Sequence, residues 1–294
     1  QAAIEGKTGI DAFDAWAHEL VETGYLHNHA RMWFASIWIF TLELPWQLGA
    51  DFFYRHLLDG DAASNTCSWR WVAGLHTRGK NYVARASNIE KYTLGRFNPR
   101  GQLAENPAPL DGEENPPRSM IPMTDPLPSD EPALLVLHED DLGLEALPWK
   151  RWKLCGVALL DRLEARSPET IGAQVRDFVT GALADTHQRV KAQTGYAASV
   201  ITNYAALIDH AKACGARQII APYAPVGPVR DELTTHARAF NDAQMPVRHY
   251  RHAYDDQIWP HATAGFFKVK KQIPQLLKTF GGDRGRQQLE MPGL

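Results

Sequence analysis

With 294 residues, 44% of them hydrophobic, the chain can bury a substantial core and is long enough for two domains. Its formal net charge of −3 excludes a protein that is basic overall, so nucleic-acid binding would need a local positive groove. The three cysteines lack CxxC spacing, which argues against a disulfide framework or a zinc site and favours a reducing compartment, the cytoplasm. The longest apolar run, residues 33–42, is too short for the roughly 20 residues that cross a bilayer and is interpreted as a buried helix.

The first third of the sequence predicts packed helices. Apolar residues recur at helical spacing through residues 9–58, as at Phe13, Trp16 and Leu20. The helical domain is predicted to extend over residues 1–97.

A proline-rich stretch follows the helical part. Residues 98–132 hold nine of the 19 prolines, far too many for a helix or a central strand. This stretch is interpreted as a linker or a meandering surface arm.

Residues 133–280 alternate β-rich runs with amphipathic segments, which predicts a doubly wound parallel sheet with helices on its faces. A long helix is predicted from Pro168 to about Lys191 with Ser167 as its cap, and another from Tyr204 to Cys214. The fold class is therefore α plus α/β, and residues 281–294 are predicted to be a tail. Strands are predicted at residues 133–140, 153–161, 217–223 and 246–252.

A short acidic run, HEDDLG at residues 138–143, follows the first predicted strand. Strand ends often carry chemistry in α/β folds, but a solvated turn is the favoured interpretation of these carboxylates.

Four motifs carry a resemblance. GKTGIDAFDAWAHEL (6–20), TGYLHNHARMWFAS (23–36), LPWQLGADFF (44–53) and LDGDAASNTCSWRW (58–71) follow one another in the order, and nearly at the spacing, of the flavin-binding helical domain of DNA photolyases and cryptochromes. About the first 97 residues resemble that domain. Capped helices with core indoles would explain each motif alone but not their conjunction.

The resemblance implies FAD as the cofactor and assigns polar residues to it. A flavin ring needs fixed polar groups that tune its charge. Asn65 resembles the amide that faces flavin N5, and Asp59 and Asp61 match the acidic pair beside the ring edge and the ribityl chain. Arg31 would pair with Asp59, and Asn28 is expected beside the cofactor as well.

The resemblance also implies catalytic residues. Trp69 matches the indole nearest the flavin and Trp46 the next in an electron relay, whereas Ala3 stands where many relatives carry a third tryptophan. The chain would then use another donor or photoreduce poorly. Trp71 matches an aromatic that stacks on a flipped-out pyrimidine dimer, and Met32, with Asn28, matches the floor of the substrate cavity.

The implied activity is light-driven electron transfer from reduced FAD to a pyrimidine dimer in DNA. The alternative is a cryptochrome-like blue-light photoreceptor without repair activity, and a third interpretation is a scaffold that has lost flavin. His29 stands where repair enzymes carry an arginine that contacts phosphate. Arg78, Lys80 and Arg85 could supply such contacts instead, or form a solvated basic loop.

The resemblance has two further consequences. The half of the family's flavin domain that precedes these motifs, with its diphosphate clamp, is absent, so we expect a longer protein or a second polypeptide. Residues 214–233 and 245–252 resemble, more faintly, the family's antenna domain, which implies an antenna chromophore. In ordinary photolyases that domain comes first, so either the order is permuted or the likeness is that of any doubly wound domain. Neither a metal nor a membrane partner is predicted.

Overall fold

The computed structural model describes residues 1–112, 114–125 and 130–280. The chain begins with a helical layer whose long helices pack around one aromatic core. A five-residue π-helical turn, Ile37–Thr41, continues the second helix, so residues 33–42 form the predicted buried helix with a widened last turn. The helices are α1 (Asp11–Thr23), α2 (Asn28–Ser36), α3 (Trp46–His56), α4 (Ala62–Val72) and α5 (Ala86–Tyr92).

Local sequence explains where these helices begin and end. Asp61 caps α4 because its Oδ1 accepts a hydrogen bond from the Ser64 backbone N–H at 2.6 Å. Asp11 and Asp14 place negative charge in the first turn of α1, which favours the positive end of the helix dipole. Gly24 ends α1 with a φ of +70°, a conformation that glycine adopts at little cost.

The second part of the molecule is built around a five-stranded parallel sheet. Its strands are β1 (Ala133–His138), β2 (Leu154–Leu160), β3 (Ser199–Ile201), β4 (Gln218–Pro222) and β5 (Val247–Tyr250), in the order β3-β2-β1-β4-β5. A separate apolar core covers each face of the sheet. The predicted α plus α/β fold is confirmed, and four of the five strands were predicted; only β3 was missed.

Seven helices of the described residues belong to this second part. They are α6 (Ala173–Thr194), α7 (Tyr204–Ala213), α8 (Pro228–Thr235), α9 (Ala237–Asp242), α10 (Ala253–Ile258), α11 (Phe267–Lys270) and α12 (Ile273–Phe280). The predicted α7 is confirmed. The predicted tail, residues 281–294, lies outside the described residues.

The predicted start of α6 at Pro168 is wrong. The Ser167 hydroxyl accepts the Glu169 N–H at 3.0 Å, but this bond closes a turn and no helix follows it. The Gly172 N–H donates to the Arg55 carbonyl of α3 at 3.0 Å. This contact with the helical layer holds the chain before Ala173 outside the helix.

The same contact joins the two parts of the molecule. Arg55 Nη1 donates to the Thr170 carbonyl at 3.1 Å, and the Arg166 guanidinium lies 5.4 Å from the centroid of the Tyr54 ring. A side chain on Gly172 would lie 2.5 Å from His56 Nδ1, so only glycine allows this approach.

The described residues of the proline-rich stretch, 98–112, 114–125 and 130–132, contact both parts of the molecule. On the helical side, the Leu110 N–H donates to the Ala73 carbonyl at 3.0 Å. On the sheet side, Asp125 Oδ2 accepts the His249 N–H at 2.7 Å, and Arg251 Nη1 donates to the Pro122 carbonyl at 2.8 Å. The extent of the predicted stretch, residues 98–132, and its assignment as a linker or an arm stay predictions.

Candidate functional site

A cavity of about 460 Å³ lies between α2, α3 and α4 in the helical layer. Its size falls within the roughly 300–1,000 Å³ of small-molecule and cofactor pockets. Eight of the nine residues that the sequence assigned to the site line it: Asn28, Arg31, Met32, Asp59, Asp61, Asn65, Trp69 and Trp71.

Arg31 and Asp59, which the sequence predicts to pair, form an ion pair. Arg31 Nη2 lies 3.0 Å from both carboxylate oxygens of Asp59, and Arg31 Nε donates to the Leu26 carbonyl at 2.8 Å. The backbone bond fixes the guanidinium from its other side. Since the Asp59 side chain is 58% exposed, water screens the pair, and its contribution to the stability of the fold is small.

Asn65 sits one turn into α4 with its amide fixed. Its Nδ2 donates to the Ala50 carbonyl of α3 at 2.7 Å. Within the described residues, Asn65 Oδ1 makes no hydrogen bond and remains able to accept one. Because the Asp61 carboxylate caps the same helix, both groups are held in the cavity wall by hydrogen bonds to the backbone.

Trp69 is the buried indole of the cavity. It contacts Phe53 and Trp38 edge-to-face, with ring centroids 5.0 and 6.2 Å apart. A Cβ at Gly49 would lie 2.3 Å from the Trp69 ring and 3.0 Å from Trp38, so this close packing requires glycine in α3.

Trp46 is the one assigned residue outside the cavity. It lines a neighbouring pocket together with Asn65, and the Arg70 guanidinium lies 5.8 Å from the centroid of its indole. Within the described part of the chain, the ring contacts of Trp69 do not include Trp46. The indole next to Trp69 is Trp38, which the sequence interpretation missed.

The structure adds lining residues that the sequence did not single out. Ser64, Ser68 and Val72 share the face of α4 that carries Asp61 and Asn65, so helical spacing could have found them. His76 could not be found in this way because it follows the end of α4, where helical spacing no longer applies. Cys67 also borders the cavity.

The basic residues proposed for phosphate contacts differ in their hydrogen bonds and in their exposure. Arg78 Nη2 donates to the Gly112 carbonyl of the proline-rich stretch at 3.0 Å, so its charge is partly engaged. Lys80 and Arg85 are exposed. His29 is stacked between Trp33 and Tyr92, with centroids 5.7 and 5.8 Å away.

The acidic run after β1 forms the predicted turn, with Asp140 exposed, but the side chains of its first two residues are buried. His138 is fully buried, and the Glu139 side chain, only 3% exposed, lies 3.3 Å from Arg166 Nε. Burial raises the pKa of Glu139 and lowers that of His138. Arg166 covers Glu139, and its guanidinium also lies 5.4 Å from the centroid of the Tyr54 ring, where the two parts of the molecule meet.

A second, smaller crevice of about 350 Å³ opens beyond the carboxyl ends of β1 and β4. The strand order reverses between these two strands, the usual ligand position in open α/β sheets. Two arginines, Arg230 and Arg251, lie 5.5 and 5.8 Å from the centroid of the Tyr223 ring, and Trp259 completes an aromatic wall.

Within the described residues, no group of three or more histidine, cysteine or acidic side chains is arranged to hold a metal ion. The same residues include no helix long and apolar enough to cross a membrane.

Comparison with known proteins defines the class of the helical part. Residues 1–106 match the family described as the FAD binding domain of DNA photolyase. This part of the chain, which contains the 460 Å³ cavity, is therefore similar to the FAD-binding domain of DNA photolyases.

The individual relatives agree with this assignment. The chain is 34% identical over 119 residues to a deoxyribodipyrimidine photo-lyase of Streptomyces griseus, a match that covers 36% of the chain and 26% of the relative. Photo-lyases of Escherichia coli and Thermus thermophilus are 40% and 47% identical over 82 and 75 residues, covering 28% and 26% of the chain and 17% and 18% of each relative. The matches thus span about a quarter or less of these relatives. No solved structure matches the chain significantly.

The cavity fits the flavin ring of such a cofactor. Its volume suits a planar tricyclic group, and its apolar side is made by Phe53, Leu57 and Trp69. Its polar side offers the acceptor of Asn65 and the Arg31–Asp59 pair.

Proposed function

We propose that the protein is a light-dependent flavoprotein of the photolyase class, acting on pyrimidine dimers in DNA. The observation that supports this most is that one cavity gathers a fixed amide, an arginine–aspartate pair and two indoles. Bound FAD would supply light-driven electron transfer to the dimer and receive the electron back after the bonds split.

The chain's own residues would position the cofactor and the substrate. Asn65, held by the Ala50 carbonyl, would accept a hydrogen bond from the ring edge, and the Arg31–Asp59 pair would set the charge beside it. Trp71 is 39% exposed at the cavity, as stacking on a flipped-out base requires. Such stacking is worth roughly 1–3 kcal/mol per base.

The rest of the cofactor site would come from elsewhere. Because the matches cover a quarter or less of the photo-lyases, we propose that an upstream segment, or another polypeptide, holds the diphosphate. FAD affinity of residues 1–294 alone would then be weak. Absorbance of bound flavin, measured with and without that segment, tests this proposal, and tight stoichiometric binding by residues 1–294 would contradict it.

One assay tests the proposed activity. The complete protein is illuminated with dimer-containing DNA, and restored thymine absorbance is followed. Repair is expected, together with a loss of DNA affinity in Trp71→Ala. Phe178→Ala, which truncates an exposed aromatic side chain of α6 in the sheet part, is the matched control and should leave repair unchanged. A flavin-free, colourless protein would contradict the proposal and support a scaffold.

A second candidate is a blue-light photoreceptor without repair activity. It is favoured by the position of His29, whose ring is stacked between Trp33 and Tyr92. A ring held in this way is poorly placed to replace an arginine on a DNA phosphate. Photoreduction of the flavin without dimer repair in the same assay would support this candidate.

We further propose that an antenna chromophore binds the 350 Å³ crevice of the sheet part. Tyr223 and Trp259 would flank a planar ring, and Arg230 would contact its polar edge. Arg251 is paired with Asp256, and three aspartates, Asp140, Asp141 and Asp255, also line the crevice. Riboflavin 5′-phosphate is a suitable probe because its fluorescence reports binding. Quenching by the protein, reduced in Arg230→Ala, is expected; no quenching at any concentration would contradict this site.

A cytoplasmic location is proposed as well. The proposal rests on the cysteine pattern, because three cysteines without CxxC spacing are typical of a reducing compartment. Fractionation of the source cells would test the location.

A further inference from the structure

Two thiols of the sheet part lie side by side. The Sγ atoms of Cys155 and Cys214 are 3.2 Å apart, although the residues are 59 positions apart in the sequence. Cys155 is the second residue of β2, and Cys214 directly follows the last residue of α7. The fold therefore forms a pair that the spacing of the cysteines does not indicate.

Regular backbone structure holds both cysteines in this position. β2 is paired with β1 along its length, which fixes the strand that carries Cys155. On the other side, the Cys214 N–H donates to the His210 carbonyl at 3.1 Å, and Gly215, with a φ of +77°, turns the chain out of α7. Because neither cysteine lies in a long loop, the two sulfurs stay within reach of each other while this part of the molecule is folded.

The thiol hydrogens do not have to lie between the two sulfurs. Cys155 Sγ donates to the Ala133 carbonyl at 3.4 Å, and Cys214 Sγ donates to the Ala211 carbonyl at 3.2 Å. With both hydrogens directed at backbone oxygens, the sulfurs face each other. A disulfide bond of about 2.05 Å would bring them about 1.1 Å closer, a shift that small side-chain rotations can provide.

The surroundings of the pair admit a small oxidant. Both thiols are half-buried, and they lie at the border of the apolar core on one face of the sheet. The pair is at the amino end of β2, whereas the 350 Å³ crevice lies beyond the carboxyl ends of β1 and β4. Chemistry at these sulfurs therefore leaves the lining of the crevice unchanged.

We propose that Cys155 and Cys214 are a redox-active dithiol that hydrogen peroxide closes to a disulfide and that a dithiol reductant reopens. Cytosolic disulfides are usually transient, so a pair that opens and closes fits a reducing compartment. This inference does not depend on a bound flavin.

The atoms and electrons of the reaction balance. Cys214 Sγ attacks one oxygen of the peroxide, an S–O bond forms, the O–O bond breaks, and hydroxide leaves as water with the thiol proton. Cys155 Sγ then attacks the Cys214 sulfur, an S–S bond forms, the S–O bond breaks, and the second oxygen leaves as water with the Cys155 proton. The two sulfurs lose two electrons, which the peroxide gains.

The order of the two attacks follows from the environment of Cys155. Burial, with a smaller effect of the contact with Cys214, raises the pKa of Cys155 to about 12, so this thiol keeps its proton at neutral pH. Since the thiolate is the nucleophile, Cys155 is a poor first attacker. It acts second, on a sulfenic acid that already lies beside it.

The disulfide would tie the end of α7 to β2. It would close a long loop, because the two residues are 59 positions apart, and a cross-link of this kind restricts the unfolded chain. The oxidised protein should therefore unfold at a higher temperature than the reduced protein. The amides of the last turn of α7 should also exchange their hydrogens more slowly.

Limited treatment of the full chain with hydrogen peroxide, followed by alkylation and peptide mapping by mass spectrometry, tests the proposal. We expect a peptide that links Cys155 to Cys214, a mass lower by two hydrogen atoms, a raised unfolding temperature, and full reversal by dithiothreitol. Cys67→Ser, which removes the exposed thiol of the helical layer, is the control and should behave in the same way. Separate sulfinic acids at the two positions, or a cross-link that forms only in urea or only between chains through Cys67, would overturn the proposal.

Phenylarsine oxide tests the pairing without oxidation. Its arsenic condenses with two neighbouring thiols, forms two As–S bonds and releases water. The folded wild type and Cys67→Ser should each bind one equivalent that protects Cys155 and Cys214 from alkylation, and Cys214→Ser should bind none. Binding by Cys214→Ser, or none by the folded wild type, would contradict the pairing. A colourless protein that passes both tests retains the dithiol and loses only the proposed flavin-dependent function.

Discussion

The polar groups of the cavity are held in place by the protein before any ligand binds. Asn65 is bonded to Ala50, Asp61 to Ser64, and Arg31 to both Leu26 and Asp59. A ligand that matches this arrangement loses little energy in ordering side chains, which is the advantage of a preorganised site.

Asp59→Asn tests the polar side of the cavity. Loss of the charge should weaken FAD binding about 3–10-fold, because the carboxylate is more than half exposed and a screened charge-assisted bond contributes about 1 kcal/mol. Titration of flavin fluorescence measures the change. Glu90→Gln, which breaks the exposed ion pair with Arg100 outside the cavity, is the matched control and should leave the affinity unchanged. Equal affinities of the wild type and Asp59→Asn would show that Asp59 does not contact the cofactor.

His56 makes the stability of the fold depend on pH. Burial, with a smaller effect of Arg55, lowers the pKa of His56 to about 4 from its usual 6.5. As the pH falls below 6.5 the unfolded chain binds a proton that the folded chain does not, so stability decreases until about pH 4.

Urea unfolding at pH 7.5 and pH 4.5 checks this expectation. We expect His56 to account for about 1 kcal/mol of the loss, once the solvent-exposed part of its ring is allowed for, and His56→Gln to remove that part. An identical pH dependence in the wild type and the variant would contradict the lowered pKa.

The sequence was informative about single residues wherever a motif has a fixed spacing. The residues of LDGDAASN and HNHARM reach one cavity because α2 and α4 each present one face to it. Trp38 and His76 were not predicted, since their positions depend on the packing of α3 and on the turn after α4. The roles of all these residues in catalysis stay predictions.

Among the helices, α3 shows how one glycine allows two indoles to pack. Gly49 lies in the middle of the helix, where glycine is unfavourable by roughly 0.5–1 kcal/mol relative to alanine. Trp69 and Trp38 occupy the space where its Cβ would be. Gly49 therefore lowers the intrinsic stability of α3 but allows the aromatic packing at the cavity wall.

Gly49→Ala and Gly181→Ala form a matched pair. Both glycines lie inside helices, but a Cβ at Gly181 meets nothing within 4 Å. Gly181→Ala should stabilise the protein by about 0.5–1 kcal/mol. Gly49→Ala should destabilise it by about 1–3 kcal/mol through overpacking and alter the fluorescence of Trp69. Thermal unfolding measures both, and a stabilising Gly49→Ala would contradict the packing described for α3.

The regular elements were predictable where the local signal is strong. β1, β2 and β4 coincide with continuous apolar runs and β5 with a short run of β-forming residues, whereas β3 has only three residues and gives no such signal. The start of α6 was misplaced because Gly172 hydrogen-bonds to α3, a contact that no local pattern encodes.

At the level of the whole molecule, the sheet part and the proline-rich stretch support the helical layer without lining its cavity. Residues 170–172 and Arg166 contact α3, and the proline-rich stretch contacts both Ala73 and His249. The fold class was predictable from alternating patterns, but these contacts were not, because they join residues far apart in sequence. The boundaries 1–97, 98–132 and 133–280 stay predictions.

A structure of the complete protein with FAD is the most direct test of the central claim that a flavin ring occupies the cavity of about 460 Å³. We predict a yellow protein in which the ring edge lies within hydrogen-bond distance of Asn65, beside the Arg31–Asp59 pair and against Trp69. A colourless protein at saturating FAD, or a flavin bound elsewhere while this cavity holds only solvent, would contradict the account.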